Sequence, residues 1–236
     1  MQLTSRTFDH NGWIPEKCAF GIKDDETRMA LGENKNPQLT WSNIPDAAQS
    51  LVLICVDTDV PSSLENFNKE GKTISANLPR VDFMHWVMVD IEAVDGGVEE
   101  AECSDGITPK GKQNPKGPPG SRQGINGYTN FMAGDPEMEG NYFGYEGPCP
   151  PWNDEIPHHY RFKLFACDIE NDLYVDNPES PNDDILASDP VALEATASGL
   201  FRSWYMADSN YYGHGMALNT MADTSYCKWA NSCMID

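Results

Sequence analysis

Asp57, Asp59, His85, His158 and Tyr160 are the side chains of this sequence whose types and spacing could do chemistry. Asp57 and Asp59 close an apolar run and lie two residues apart, on one face of any strand that continues that far. His158 and Tyr160 share a face in the same way. Imidazole and phenol groups, with backbone N–H groups around Gly147, are donors suited to a phosphate or carboxylate oxygen. An aspartate within reach would orient an imidazole and favour its charged form, so the set reads as a small cationic cup. The same groups could move protons, which leaves acid–base chemistry by a His85/Asp57 pair open. A metal site built from His85, His158 and Asp57 is not expected, because no pair has a ligand spacing such as H-x-x-x-H. Nucleophilic catalysis has no support: no serine sits in a G-x-S-x-G elbow, and Cys149, between two prolines, has no base visible in the sequence. No cofactor is called for.

Three segments have to bring these groups together. Gly144 to Asp168 couples a loop to a strand: Gly144 and Gly147 permit unusual backbone conformations, while Pro148, Pro150 and Pro151 stiffen the chain. From Tyr160 the residues alternate, with Phe162, Leu164 and Ala166 on its face and Arg161, Lys163, Phe165 and Cys167 on the other. Ser50 to Asp59 is a continuous β-branched run and predicts a strand buried on both faces. Phe83 to Ile91 predicts a second, in which His85 shares a face with Phe83, Val87 and Val89; a histidine satisfied within the core is the competing reading there. Gln38 to Pro45, bounded by prolines, predicts a short strand. Residues 62–82 predict an exposed excursion, 95–141 and 169–188 predict loops, and 1–36 show no strong period. Asp189 and Pro190 predict the start of a helix whose apolar stripe would be Leu193, Ala197, Leu200, Phe201 and Trp204.

At 236 residues the chain can bury a core without disulfides, and no repeat or long linker divides it. Short apolar segments between Gly- and Pro-rich connections predict an all-β fold, a single sandwich domain over residues 1–236. A net charge of −21 makes the average surface repel phosphate backbones and anionic headgroups, so nucleic acid is not an expected partner. Pro109 to Gly124 departs from that acidity with Lys110, Lys112, Lys116 and Arg122, and reads either as a solvated loop or as a basic rim to an anion site. The seven cysteines are odd in number and include no C-x-x-C pair, which favours free thiols. With no apolar leader and no run of about 18 apolar residues, no integral membrane segment is expected and the cytoplasm is the expected location.

Several separate motifs, in matching order and rough spacing, carry a family resemblance. They are Pro37 to Pro45 (PQLTWSNIP), Val56 to Pro61 (VDTDVP), Met84 to Val89 (MHWVMV), Gln123 to Asn126 (QGIN), Gly147 to Pro151 (GPCPP) and His158 to Tyr160 (HHY). Over most of its length the chain resembles the phosphatidylethanolamine-binding protein family, above all its bacterial, Raf kinase inhibitor-like branch. The resemblance implies an antiparallel β-sandwich with a large central sheet, a smaller sheet and a few peripheral helices, including one near the C-terminus. It also implies an anion pocket lined by Asp57 and Pro61, with Asp59 beside them, Phe83 as an aromatic wall, His85, Gly147 with Pro148, His158 and Tyr160. Segments 62–82 and 127–141 read as loop insertions near the mouth. Two motifs depart from the family pattern: D-P-D-A-P is Asp-Thr-Asp-Val-Pro here, and H-R-Y is His-His-Tyr. The implied function is a non-enzymatic binding or regulatory protein for a phosphate- or carboxylate-bearing ligand, such as a phospholipid headgroup, phosphoethanolamine, a phosphometabolite or a phosphorylated side chain. The alternatives are an enzyme acting on an anionic substrate through the His/Asp pair, and an inhibitor whose protein partner is a kinase or peptidase.

Overall fold

The computed structural model describes residues 1–168 and 194–201. Along the chain run β1 (Gln2–Thr4), β2 (Gly12–Trp13), a 3-10 turn (Glu16–Cys18), β3 (Gly21–Asp24), β4 (Arg28–Leu31), β5 (Leu39–Ser42) and β6 (Ser50–Pro61). They are followed by β7 (Arg80–Glu92), β8 (Gly96–Val98), β9 (Arg122–Gln123), helix α1 (Tyr128–Phe131), β10 (His158–Cys167) and β11 (Glu194–Phe201). The long strands β6, β7 and β10 stand where the apolar runs predict them, and β5 lies within its Pro-bounded segment. They organise a six-stranded sheet, β2-β11-β10-β6-β7-β9, antiparallel except for the β11–β2 pair. A three-stranded antiparallel sheet, β1-β5-β8, and the β3–β4 hairpin complete the fold.

The two-residue period of the strands decides what meets in the core. Tyr160, Phe162, Leu164 and Ala166 of β10 are buried together with Leu51, Leu53 and Cys55 of β6 and Trp86 and Met88 of β7. Leu3, Leu39, Trp41 and Val98 close this core from the smaller sheet, which makes the architecture a β-sandwich. The other face of the large sheet carries a separate cluster of Val52, Val87, Val89 and Cys167. Full burial of such side chains is worth ~1.5–3 kcal/mol each, so the inter-sheet core is the main stabilising term.

The helix predicted from Asp189 is contradicted over Glu194–Phe201, which is a strand paired with β10 from His158↔Phe201 to Phe165↔Glu194. Its residues fit both periods, since Ala197, Gly199 and Phe201, all buried, also alternate. Thr196, Ser198 and Gly199 are poor helix formers, and pairing along the open edge of β10 outweighs the helical spacing. Gly199 also sits where a Cβ would come within 2.4 Å of Ile14 Cγ1. Asp189, Pro190, Leu193 and Trp204 lie outside the described residues. Among the described residues helical structure is limited to the 3-10 turn and α1.

Strands β1 to β4 escape sequence reading because segments this short display no period. The 62–79 excursion contains neither strand nor helix but is held down. Buried Ile74 bridges Asp154, and Asn153 Nδ2 donates to the carbonyls of Asn66 at 2.9 Å and Lys72 at 3.0 Å.

Candidate functional site

Three neighbouring strands set the polar residues in one row. Tyr160 of β10 is in register with Asp57 of β6, and Asp57 with Phe83 of β7. His158, two residues before Tyr160, returns to the same face. His85 arrives by a bulge: Cys55 pairs with Trp86 and Val56 with Met84, so His85 is the extra residue on β7. Strict alternation places it with Val87 and Val89, and the bulge overturns that expectation. His85 instead meets Phe83, Tyr128 and Tyr160 at ring-centroid distances of 5.0, 5.5 and 5.0 Å.

Of these residues Asp57, Phe83, His85, Tyr128 and His158 line a cavity of about 510 Å³, and Tyr160 lies behind His85. Asp57, His85 and His158 form its ionisable floor, Phe83 and Tyr128 its aromatic walls, and Cys149, Pro150 and Pro151 a further side. Pro61, Leu64, Val81 and Phe131 line it towards the mouth, the last three exposed to solvent. Burial pushes the Cys149 thiol up to about 12, which keeps it protonated and a poor nucleophile.

His158 is fully buried with a carboxylate at each ring nitrogen. Nδ1 lies 2.7 Å from Asp57 Oδ2 and Nε2 lies 3.2 Å from Asp154 Oδ2. Two acceptors require two N–H donors, so the ring is an imidazolium. Burial is the largest single influence and opposes the charge, but the two carboxylates together outweigh it and raise the pKa to about 9. Asp154 is gripped in turn by Arg80, through Nη1 at 2.5 Å and Nη2 at 3.0 Å. Burial works to raise the Asp154 pKa, yet His158 and Arg80 hold it below the usual carboxylate range. Charge therefore alternates along Arg80, Asp154, His158 and Asp57, and cancels. The expected cationic cup is corrected by this geometry: the imidazolium is spent on two carboxylates, and among the described residues no lysine or arginine lines the cavity.

His85 is the opposite case. Its Nδ1 lies 2.8 Å from the Glu146 carbonyl oxygen, a bond that needs N–H on that nitrogen and leaves Nε2 as the lone-pair nitrogen of a neutral ring. Burial lowers its pKa, against the pull of Asp57. Asp57 itself accepts from His158 and from the Asp59 N–H at 2.8 Å, not from His85. Directly beside His85, the Tyr160 hydroxyl is buried and makes no hydrogen bond of good geometry, its one polar neighbour being the Asp57 carboxylate, which acts on its proton. Burial, then the field of Asp57, raise the Tyr160 pKa well above its ordinary value, so the hydroxyl keeps its proton.

The Gly147 loop supports the site from behind. Its N–H donates to Asn34 Oδ1 at 2.8 Å and so is not open to a ligand as the sequence suggests. Gly147 is needed because a Cβ there would lie 1.9 Å from the Cys18 carbonyl oxygen. The Pro148 carbonyl accepts from the Phe20 N–H at 2.9 Å, and neither residue lines the cavity. Buried Glu146 is bound by Asn34 Nδ2 at 2.5 Å and by the Lys112 ammonium; burial raises its pKa more than Lys112 lowers it. Asp59 turns away to accept from the backbone N–H and Nδ1 of His159, each at 2.7 Å. Of the basic segment, Lys112 pairs with Glu146 and Arg122 with Asp90, and none of its residues lines the cavity.

A family description, phosphatidylethanolamine-binding protein, matches residues 4–198. The chain belongs to this family. Among its relatives, a UPF0098 protein of Methanothermobacter thermautotrophicus is 30% identical over 204 residues, 86% of this chain and 99% of that protein. UPF0098 protein YbcL of Escherichia coli is 29% identical over 140 residues, 59% of this chain and 56% of YbcL. The crystal structure of YbcL has a TM-score of 0.57 at 24% identity, over 85% of this chain and 96% of that one. That of CT736, a phosphatidylethanolamine-binding protein homologue from Chlamydia trachomatis, has a TM-score of 0.53 at 23% identity, with the same coverages of 85% and 96%. Both share the fold.

On this phosphatidylethanolamine-binding protein scaffold, Asp57, Pro61, Phe83, His85 and His158 border the cavity, and Tyr160 lies just behind His85. Sequence reading missed Tyr128 and Phe131 on α1 and the Arg80–Asp154 support of His158. A signal for α1 was available in the QGIN motif, since the next residue, Gly127, sits where a Cβ would come within 2.8 Å of the Phe83 ring. Among the described residues no helix is long and apolar enough to cross a membrane.

Proposed function

We propose that the cavity binds a small molecule through an oxyanion, a phosphate or a carboxylate, and that the protein acts as a binder rather than a catalyst. The observation that carries this reading is the neutral His85 in the cavity lining, with the Tyr160 hydroxyl, which makes no well-formed hydrogen bond, directly behind its ring. An oxyanion supplies a well-placed acceptor for the hydroxyl. Its negative charge also draws a proton onto His85 Nε2, which changes that atom from acceptor to donor. Binding is thereby coupled to proton uptake, the expected behaviour of a site that has no lysine or arginine among the described residues of its lining. Asp57 is committed to His158 and the Asp59 N–H, which supports binding over acid–base catalysis by a His85/Asp57 pair. Phosphoethanolamine, other phosphometabolites and carboxylates all carry the required group.

The test follows the His85 imidazole resonances by NMR during titration with inorganic phosphate or phosphoethanolamine. The ring resonances move towards imidazolium values as ligand is added at fixed pH. Resonances that stay unmoved up to millimolar ligand sink the proposal.

A further inference from the structure

We infer that the mouth of the cavity is a second, apolar subsite, and that the ligand it selects is an oxyanion carried on an aromatic ring. This rests on the oxyanion reading of the cavity base. An unbroken run of rings leads from the mouth to Tyr160. Phe67 is 5.7 Å from Phe131, Phe131 is 6.2 Å from Phe83, Phe83 is 5.0 Å from His85, and His85 is 5.0 Å from Tyr160. At the outer end Leu64 is 57%, Val81 44% and Phe131 43% exposed, and all three line this one cavity. Scattered exposed apolar residues need no explanation, but a contiguous rim above a polar base does.

Three further observations define the occupant. A cavity of about 510 Å³ falls in the range that holds a whole small-molecule ligand, well beyond a single oxyanion. Phe83 stands nearly perpendicular to both Tyr128 and Phe131, at 83° and 89°, an arrangement whose ring faces and edges can pair with one more ring. Among the described residues no lysine or arginine lines the cavity, so the lining offers no cation to a second anionic group. A rigid ring also loses less freedom on binding than a flexible chain. Leu64 and Phe67 come from the 62–79 excursion, Phe131 from α1 and Val81 from the outer end of β7, so connecting segments supply most of the subsite, whereas the strands supply the base.

Titration calorimetry with phenyl phosphate, inorganic phosphate and dihexanoyl phosphatidylethanolamine tests this, on the parent chain and on a Leu64→Ser/Phe131→Ser double variant. Both replaced side chains are partly exposed, and an unchanged thermal midpoint checks that the variant folds. The parent binds phenyl phosphate at least roughly tenfold more tightly than inorganic phosphate, as expected for one added aromatic contact surface. The variant loses that advantage while its inorganic phosphate affinity shifts less than about twofold. Equal affinity of the parent for the two phosphates overturns the apolar subsite and leaves the oxyanion reading standing. No binding of either phosphate overturns both. Tighter binding of the diacyl lipid than of phenyl phosphate, lost in the double variant, overturns the aromatic assignment in favour of acyl chains.

Discussion

A buried hydroxyl without a well-formed hydrogen bond costs on the order of 1–3 kcal/mol, and Tyr160 holds one behind the His85 ring. That cost is a test of purpose at the scale of one atom. Tyr160→Phe removes that hydroxyl and leaves the ring packing intact, so the ligand-free protein keeps or gains thermal stability. Phosphate affinity falls by about 1–2 kcal/mol, the cost of leaving a charged ligand one hydrogen bond short. Parallel denaturation and calorimetric titration read the two effects, and a loss of stability with unchanged affinity assigns the hydroxyl a structural role. Residue types and parity placed His158 and Tyr160 on one face, as the register of β10 against β6 has them. They misplaced His85, because a bulge depends on how β7 registers against β6, and they left the Gly147 amide open, because its acceptor Asn34 is 113 residues away.

At the scale of elements, the start of β10 is held by charge rather than by apolar contact. His158 joins Asp57 on β6 to Asp154 in the preceding loop, and Arg80 at the start of β7 binds Asp154, the Ser75 carbonyl and the Asp59 carbonyl. The His158 pKa rises from 6.5 to about 9 on folding, so its stabilisation is fully present below 6.5 and is lost as pH climbs through about 9. At ~1.4 kcal/mol per unit the loss is roughly 3 kcal/mol. Urea denaturation at pH 6.5 and at pH 9 measures it: the parent weakens across that window, and Asp154→Asn, already destabilised at the lower pH, shows a flatter profile. An equal slope in both removes Asp154 from control of His158. The long strands were legible because β6 and β7 each carry an apolar run, β10 alternates cleanly, and all three lie inside the six-stranded sheet. β11 was not, because its short, small-residue pattern gains meaning only beside the edge of β10.

For the whole molecule, the net charge of −21 sets a background of self-repulsion. Exposed pairs such as Arg6–Glu99 and Arg28–Glu70 are screened by solvent and contribute little against it. Raising ionic strength from about 0.01 M to about 0.15 M shortens the screening length from ~30 Å to ~8 Å, so the thermal midpoint rises. Scanning calorimetry over that range checks this, and a falling midpoint shows that attractive surface pairs dominate. The same field disfavours approach of the anionic ligand proposed above, so on that proposal selectivity rests on local donors and rings.

By itself the sequence determined the all-β class, the three central strands, the family and the presence of Asp57, His85, His158 and Tyr160 among the candidates. Those properties rest on alternation and on short motifs, which are local and survive in one dimension. Only the tertiary structure decided that His158 is a neutralised structural cation, that His85 is neutral, that the Tyr160 hydroxyl makes no well-formed hydrogen bond and that Phe131 and Leu64 rim the cavity. Each depends on a partner brought from elsewhere in the chain, as with His158 and Asp57, 101 residues apart. Burial then decides which protonation state that partnership supports.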